Sequence, residues 1–206
     1  MQDRSPVLRF LCRLSLAVAL LSPFGVASAA PKGSPPAPLA LSAEEQAVIA
    51  QAGIVIRHDP NSGDTIGVVD VKAPPASTLA AVLDLSARAK EVTGLRAVEI
   101  YERGPSTLAA RMEMGLAVYQ ARFHVTYAWD EASGWCTWEL DPRHPNDITD
   151  TAGSYQVLPQ GSGTRLVYRS HSGGGAMTPD WLKRKLAYSA AREMLSGMRT
   201  RAERGG

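Results

Sequence analysis

The sequence predicts an α+β domain in which a curved antiparallel sheet of six or seven strands wraps a long C-terminal helix, with two short helices after the first main strand. Three observations lead there. From Leu95 to Ser170, apolar residues recur with a period of two, in runs separated by short turn-forming breaks. From Thr178 the period becomes helical and lasts for about 25 residues, or about 37 Å. No other segment of the 206 residues is long enough to cover one face of such a sheet, so the sheet has to bend around that helix.

The chain opens with Arg4, Arg9 and Arg13, an apolar run "LSLAVALLSPFGVA", and the small-x-small site Ala27-Ser28-Ala29. That order reads as a signal peptide over residues 1–29, removed after Ala29, and points to an exported, periplasmic protein. Ser22, Pro23 and Gly25 interrupt the run too early for it to span a bilayer. Setting aside Arg4, Arg9, Arg13 and Asp3 turns 22 basic and 20 acidic residues into equal numbers, so the formal charge of +2 belongs to the targeting segment. A balanced domain lacks the field that holds nucleic acid, and no nucleic-acid partner is expected. Cys136 is the only cysteine beyond the leader, which excludes an intramolecular disulfide and leaves stability to the core. Between Trp135 and Thr137 it reads as a small buried hydrophobe.

The elements follow in order. Residues 30–41, "APKGSPPAPLAL", form a flexible Pro/Ala-rich leader, and a single domain spans 42–204. Ser42 and Glu45 make the capping-box pattern ahead of "AEEQAVIAQ". "GIVIRH" and "TIGVVDVK" are β-branched runs divided by the turn formers "DPNSGD". "ASTLAAVLDL" places Leu79, Val82 and Leu83 at helical spacing, and Ser86 is the expected cap of a second short helix, "ARAKEV". Strands are expected at 96–102, 107–114, 117–129, 134–140, 148–158 and 164–170; their short breaks favour an antiparallel meander. Segment 170–179, "SHSGGGAMTP", is the most permissive backbone and a candidate flap. Thr178-Pro179 starts the last helix, which presents Leu182, Leu186, Ala190, Met194 and Met198 as an apolar stripe ending near Ala202.

The search for chemistry gives little. His58, His124, His144 and His171 show no metal-ligand spacing, and no metal or cofactor is expected. Ser154 and Cys136 lack a recognisable base, "TAGSY" is not a nucleophile elbow, and Glu139, Asp147 and Asp150 read as a solvated rim. The three glycines at 173–175 stand apart from the helix and carry no phosphate-binding Lys-Ser/Thr. No catalytic residue is assigned, and whether the protein is an enzyme stays open. In "LAVYQARFHVTYAW", residues 116–129, Tyr119, Phe123, Tyr127 and Trp129 share one parity while Arg122, His124 and Thr126 share the other. The polar set is expected on the outer face; an inverted parity would turn it inward, toward a carboxylate or carbonyl. Lys183, Arg184, Lys185, Arg192, Arg199, Arg201 and Arg204 give the helix a basic end, either a solvated face or a point of transient membrane-surface contact.

The segments "APPASTLAAVLDLSARAKEV", "LRAVEIYER", "GWCTWELDP", "DITDTAGSYQVLPQGSGTRLVYRS" and "MTPDWLKRKLAYSAAREMLSGMR" resemble the StAR-related lipid-transfer (START-like, or SRPBCC) superfamily of polyketide cyclases, dehydrases and lipid-transport proteins, over about Gly53 to Glu203. The resemblance implies a helix-grip fold with a hydrophobic cavity between sheet and terminal helix. It gives the aromatic parity a destination on the concave face and implies a ligand wall of Met112, Met114, Tyr119, Phe123, Tyr127, Trp138, Ala190 and Met194. A hydrophobic small molecule, held without catalysis, is the leading expectation. A cyclase/dehydratase-like enzyme in the same cavity and an interaction domain with a filled core are the alternatives.

Overall fold

The computed structural model describes residues 31–59, 62–116, 119–173 and 180–205. The expected signal peptide, the Thr178-Pro179 helix start and most of the glycine-rich segment lie outside them, as do the side chains of Tyr119, Leu182 and Leu186.

Ser42 accepts from the Glu45 amide while the Glu45 carboxylate accepts from the Ser42 amide, and the capped helix α1 runs Ala43–Ala50. β1 (Ile54–His58) and β2 (Thr65–Val71) form an antiparallel pair. α2 (Pro75–Leu83) and α3 (Leu85–Glu91) follow. Asp84, rather than Ser86, caps α3 by accepting from the Ala87 amide at 3.3 Å; the helix starts two residues earlier than expected because Leu85 is drawn into the core. β3 (Leu95–Arg103), β4 (Thr107–Leu116), β5 (Tyr119–Asp130), β6 (Trp135–Leu140), β7 (Asp150–Gln160) and β8 (Gly163–Gly173) make the meander, and α4 (Asp180–Gly205) ends the chain.

All strands join one antiparallel sheet in the order β1-β2-β8-β7-β6-β5-β4-β3. The expected six or seven strands become eight because the β1–β2 hairpin joins the sheet whole, with Val68 opposite Val167 and Val69 opposite Leu166. Asp70 and Arg165 face each other across that seam in a bidentate pair at 2.7 and 2.9 Å. Register shifts in β3 between Leu95 and Ala97 and between Ile100 and Glu102 bend the opposite edge.

The bend makes a concave face whose core includes Val69, Leu166, Tyr155, Leu195 and Met198, each essentially inaccessible. α4 runs beside β1 and β2 and against α2 and α3. Several of its charged residues act as ties. Arg201 donates to the Ala81 carbonyl at 2.7 Å and pairs with Asp84 and Glu91, Arg199 donates to the Ala52 carbonyl at 2.8 Å, and Glu203 accepts from the Lys72 amide at 2.8 Å. The expected basic face is therefore partly consumed in holding the helix, while Lys185, Arg192 and Arg204 remain exposed.

A second cluster sits on the convex face, where Ile49 of α1 meets Val55, Val68 and Val167, with Leu39 and Leu41 packed beside them. Residues 31–41, expected as a flexible leader, cross this face. Gln156 donates to the Pro36 carbonyl at 2.8 Å, Arg169 to the Ala37 carbonyl at 3.4 Å, and Lys32 pairs with Glu139.

On the concave face Trp138 lies over Gly153, opposite which it pairs in register, and stacks on Tyr168 with centroids 5.6 Å apart. A β-carbon at Gly153 would collide with the Trp138 ring and the Arg169 carbonyl. Gly153→Ala is therefore expected to lower the unfolding free energy by about 1–3 kcal/mol, read as a lower urea midpoint with an unchanged slope; an unchanged midpoint would contradict this packing.

Candidate functional site

Alternation along β4, β5 and β6 puts one set of side chains into the concave interior and the other outside. Met112, Phe123, Tyr127 and Trp138 lie in the interior cluster, with Met114 and Met194 packed against it only partly buried. Ala190 on α4 is also partly accessible. The side chain of Tyr119 lies outside the described residues. The wall is not uniformly sealed: Met112, Phe123 and Trp138 keep 7–8% exposure, against 0% for Leu166, Leu195 and Met198 in the neighbouring core. Since α4 runs along β1 and β2, the wall on β4–β6 faces inward beyond the tightest helix contacts.

The interior also holds a residue that the sequence reading passed over. Arg88 of α3 is only 4% exposed and points among Tyr127, Tyr155 and Cys136. Its Nη1 donates to the Tyr127 hydroxyl at 2.9 Å, and its Nη2 donates to the Val82 carbonyl at the end of α2. The guanidinium carbon lies 5.6 Å from the centre of the Tyr127 ring and 5.4 Å from that of Tyr155, within cation–π range. Its Nε has no hydrogen-bond partner, and no carboxylate pairs with it among the described residues. Burial is the largest influence on Arg88 and opposes its charge; Tyr127 and Tyr155 and the bond to Tyr127 more than offset it, so the group stays cationic. One signal was available. Leu85, Arg88 and Val92 share the i, i+3, i+7 face of "LSARAKEV", whose Leu85 is fully buried.

The other interior groups are poor acid–base catalysts. Burial raises the hydroxyls of Tyr127, Tyr155 and Tyr168 above the ordinary phenol range, with Arg88 pulling each back only in part. It also pushes the Cys136 thiol up to about 12. Tyr155 donates to the Met194 sulfur at 3.1 Å, a weak acceptor.

On the outer face, Arg122 is exposed and pairs with Glu113, as parity predicted. His124 is on that face too, yet it is buried, because residues 141–147 fold back over it. Asn146 accepts from the His124 amide at 2.7 Å and Asp141 donates its amide to the His124 carbonyl at 2.8 Å. This brings His124 and His144 into a stack with ring centres 4.6 Å apart, flanked by Tyr101, a pairing that their separation in sequence concealed. Asp141, in the break between the strands expected at 134–140 and 148–158, is buried beneath them. It accepts from Tyr101 at 2.7 Å and from the Arg143 side chain, and these bonds, Arg143 foremost, hold its carboxyl far below the usual range. Beside this corner lies an open groove of about 510 Å³, floored by small side chains such as Thr126 and Ala128 and rimmed by the Lys32–Glu139 and Arg143–Glu102 pairs. Its charged groups are already paired with one another, whereas the interior combines an apolar wall with a cation that no carboxylate pairs among the described residues. The interior is the stronger candidate site. Among the described residues, no three His, Cys, Asp or Glu side chains converge as metal ligands, and no helix is long and apolar enough to cross a membrane.

Residues 66–203 match the family described as polyketide cyclase/dehydrase and lipid transport. Comparison with curated proteins finds no match. Among solved structures, the fold is similar to that of a Thermus thermophilus protein (TM-score 0.60, 18% identity, covering 69% of this chain and 99% of that one). It is similar also to a STAR-related lipid transfer protein fragment from Xanthomonas axonopodis (0.58, 16%, covering 71% and 92%). A third similar structure is the Zhui aromatase/cyclase from a Streptomyces species (0.52, 20%, covering 73% and 95%). At these identities the likeness establishes the helix-grip fold.

Two outcomes follow from the geometry. Cys136 should resist iodoacetamide in the native protein at pH 8 and react on denaturation; rapid native labelling would contradict its burial. Asp141→Asn should cost about 1–2 kcal/mol at pH 7, a value discounted because Arg143 is 55% exposed. The folded pKa of Asp141 is depressed, so its contribution is complete above the unfolded value near 4 and disappears as the carboxylate protonates at lower pH. The gap between wild type and variant should therefore narrow below about pH 4 in urea melts; a gap constant down to pH 2 would refute it.

Proposed function

The chain belongs to the polyketide cyclase/dehydrase and lipid transport family, and from that membership we propose that it binds and carries a hydrophobic small molecule, such as a lipid, fatty acid or polycyclic compound, between the sheet and α4. The family supports hydrophobic-ligand binding or cyclase chemistry as a class. The observation that carries the narrower reading is the apolar wall of Met112, Phe123 and Trp138 in the interior cluster, where each keeps 7–8% exposure while Met114 and Met194 packed beside it stay only partly buried. Transfer of an apolar ligand onto such a wall gains about 25 cal/mol for each Å² removed from water, and a few polar groups then set orientation. Binding of this kind needs no cofactor.

A cyclase/dehydratase-like reading needs a group that takes or gives a proton near neutrality. Among the described residues, the interior groups that titrate are Arg88, which stays cationic, and tyrosines and a thiol driven upward by burial, and His124 and Arg122 face outward. These facts favour a carrier over a catalyst. An export signal over residues 1–29 and a periplasmic location complete the proposal, with Lys185, Arg192 and Arg204 available for transient contact with anionic headgroups during exchange.

Native mass spectrometry followed by solvent extraction should recover a small hydrophobic molecule. Phe123→Trp on β5 and Ala190→Trp on α4, which add bulk to the expected ligand wall, should each reduce uptake of that molecule about tenfold or more, with Arg122→Ala as an outer-face control. Uptake unchanged by both fillings, or protein that takes up no apolar molecule, would overturn the proposal.

A further inference from the structure

Burying a guanidinium costs several kcal/mol unless an anion or a full set of acceptors compensates it. Arg88 has five N–H donors. Two bonds, to Tyr127 and Val82, account for part of this set, and the buried Nε–H has no partner. A purely structural role at the α2–α3 junction would be served by the bond to Val82 and the packing of the aliphatic stem; it leaves the charge unexplained. The surroundings are apolar or neutral: the faces of Tyr127 and Tyr155, Trp138 tilted against Tyr155 and stacked on Tyr168, and the protonated Cys136. The Tyr155 hydroxyl, which donates only to the Met194 sulfur, is a second donor ready to change partner for a better acceptor.

We infer that Arg88 receives the head of an amphiphilic ligand bearing one carboxylate, whose oxygens accept from the free Nε–H and the remaining guanidinium hydrogens while its apolar body lies along the β4–β6 wall. The inference rests on the binding reading above and narrows it from hydrophobic molecules in general to monoanionic acids. A carboxylate matches the planar fork of the guanidinium, and the low-polarity interior strengthens the pairing. A neutral ester of the same shape fills the same wall but leaves the cation unpaired.

The test compares cis-parinaric acid with its methyl ester by fluorescence titration of the purified protein at pH 7.5. The acid should bind at least about tenfold tighter, in 0.05 M and in 0.5 M NaCl alike, because a buried pair escapes the screening that weakens surface attraction. In Arg88→Gln, checked for native circular dichroism, acid and ester should bind within about twofold of each other, while Arg88→Lys keeps a reduced preference. An ester that binds wild type as tightly as the acid overturns the inference and leaves the carrier reading standing. So does a preference that persists in Arg88→Gln or vanishes at high salt. Failure of both probes to bind overturns the two together. Should Arg88→Gln not fold, the wild-type comparison at two salt concentrations decides alone.

Discussion

The pairing of β2 with β8 is the constraint on which the architecture depends. It joins a hairpin from the start of the domain to the last strand of the meander, through the Val68–Val167 register and the Asp70–Arg165 bridge. Once that seam closes, eight strands share one bent sheet, and its concave face has to be removed from water. α4 covers the β1–β2 side and is tied there by Arg199, Arg201 and Glu203, while α2 and α3 approach from the end. The β4–β6 half then presents its aromatic and methionine side chains to the interior. The candidate site is thus a result of where the helix is anchored.

The fold was legible because its determinants are periodic and local. Alternation from Leu95 onward fixed which side chains point inward, and the capping box at Ser42 fixed a helix start to the residue. The strand count was not legible, since whether the "GIVIRH" and "TIGVVDVK" runs join the sheet depends on a partner about 100 residues away. The cap of α3 was missed for a related reason. Ser86 and Asp84 are both competent caps, and the choice is made by Leu85, which the core claims as its own.

The inward face of the apolar wall was legible, and the polar groups beside it were not. Phe123, Tyr127 and Trp138 declare their face by parity; Arg88 does not, because a short helix reading "ARAKEV" carries charges that ordinarily face water. Its burial is set by β5 and β7, which bring Tyr127 and Tyr155 around it from distant positions. The His124–His144 stack is hidden in the same way, created by a loop whose return is held through Asn146.

The strap formed by residues 31–41 is held at Pro36 and Ala37 through their carbonyl oxygens, the acceptors that every residue carries. Such a grip reads the path of the main chain and is blind to side-chain identity there. Substitutions at these two positions can accumulate at little energetic penalty so long as the chain keeps its extended course. The family match, which begins at residue 66, leaves this stretch out. A segment gripped in this way has its path constrained and its letters left free.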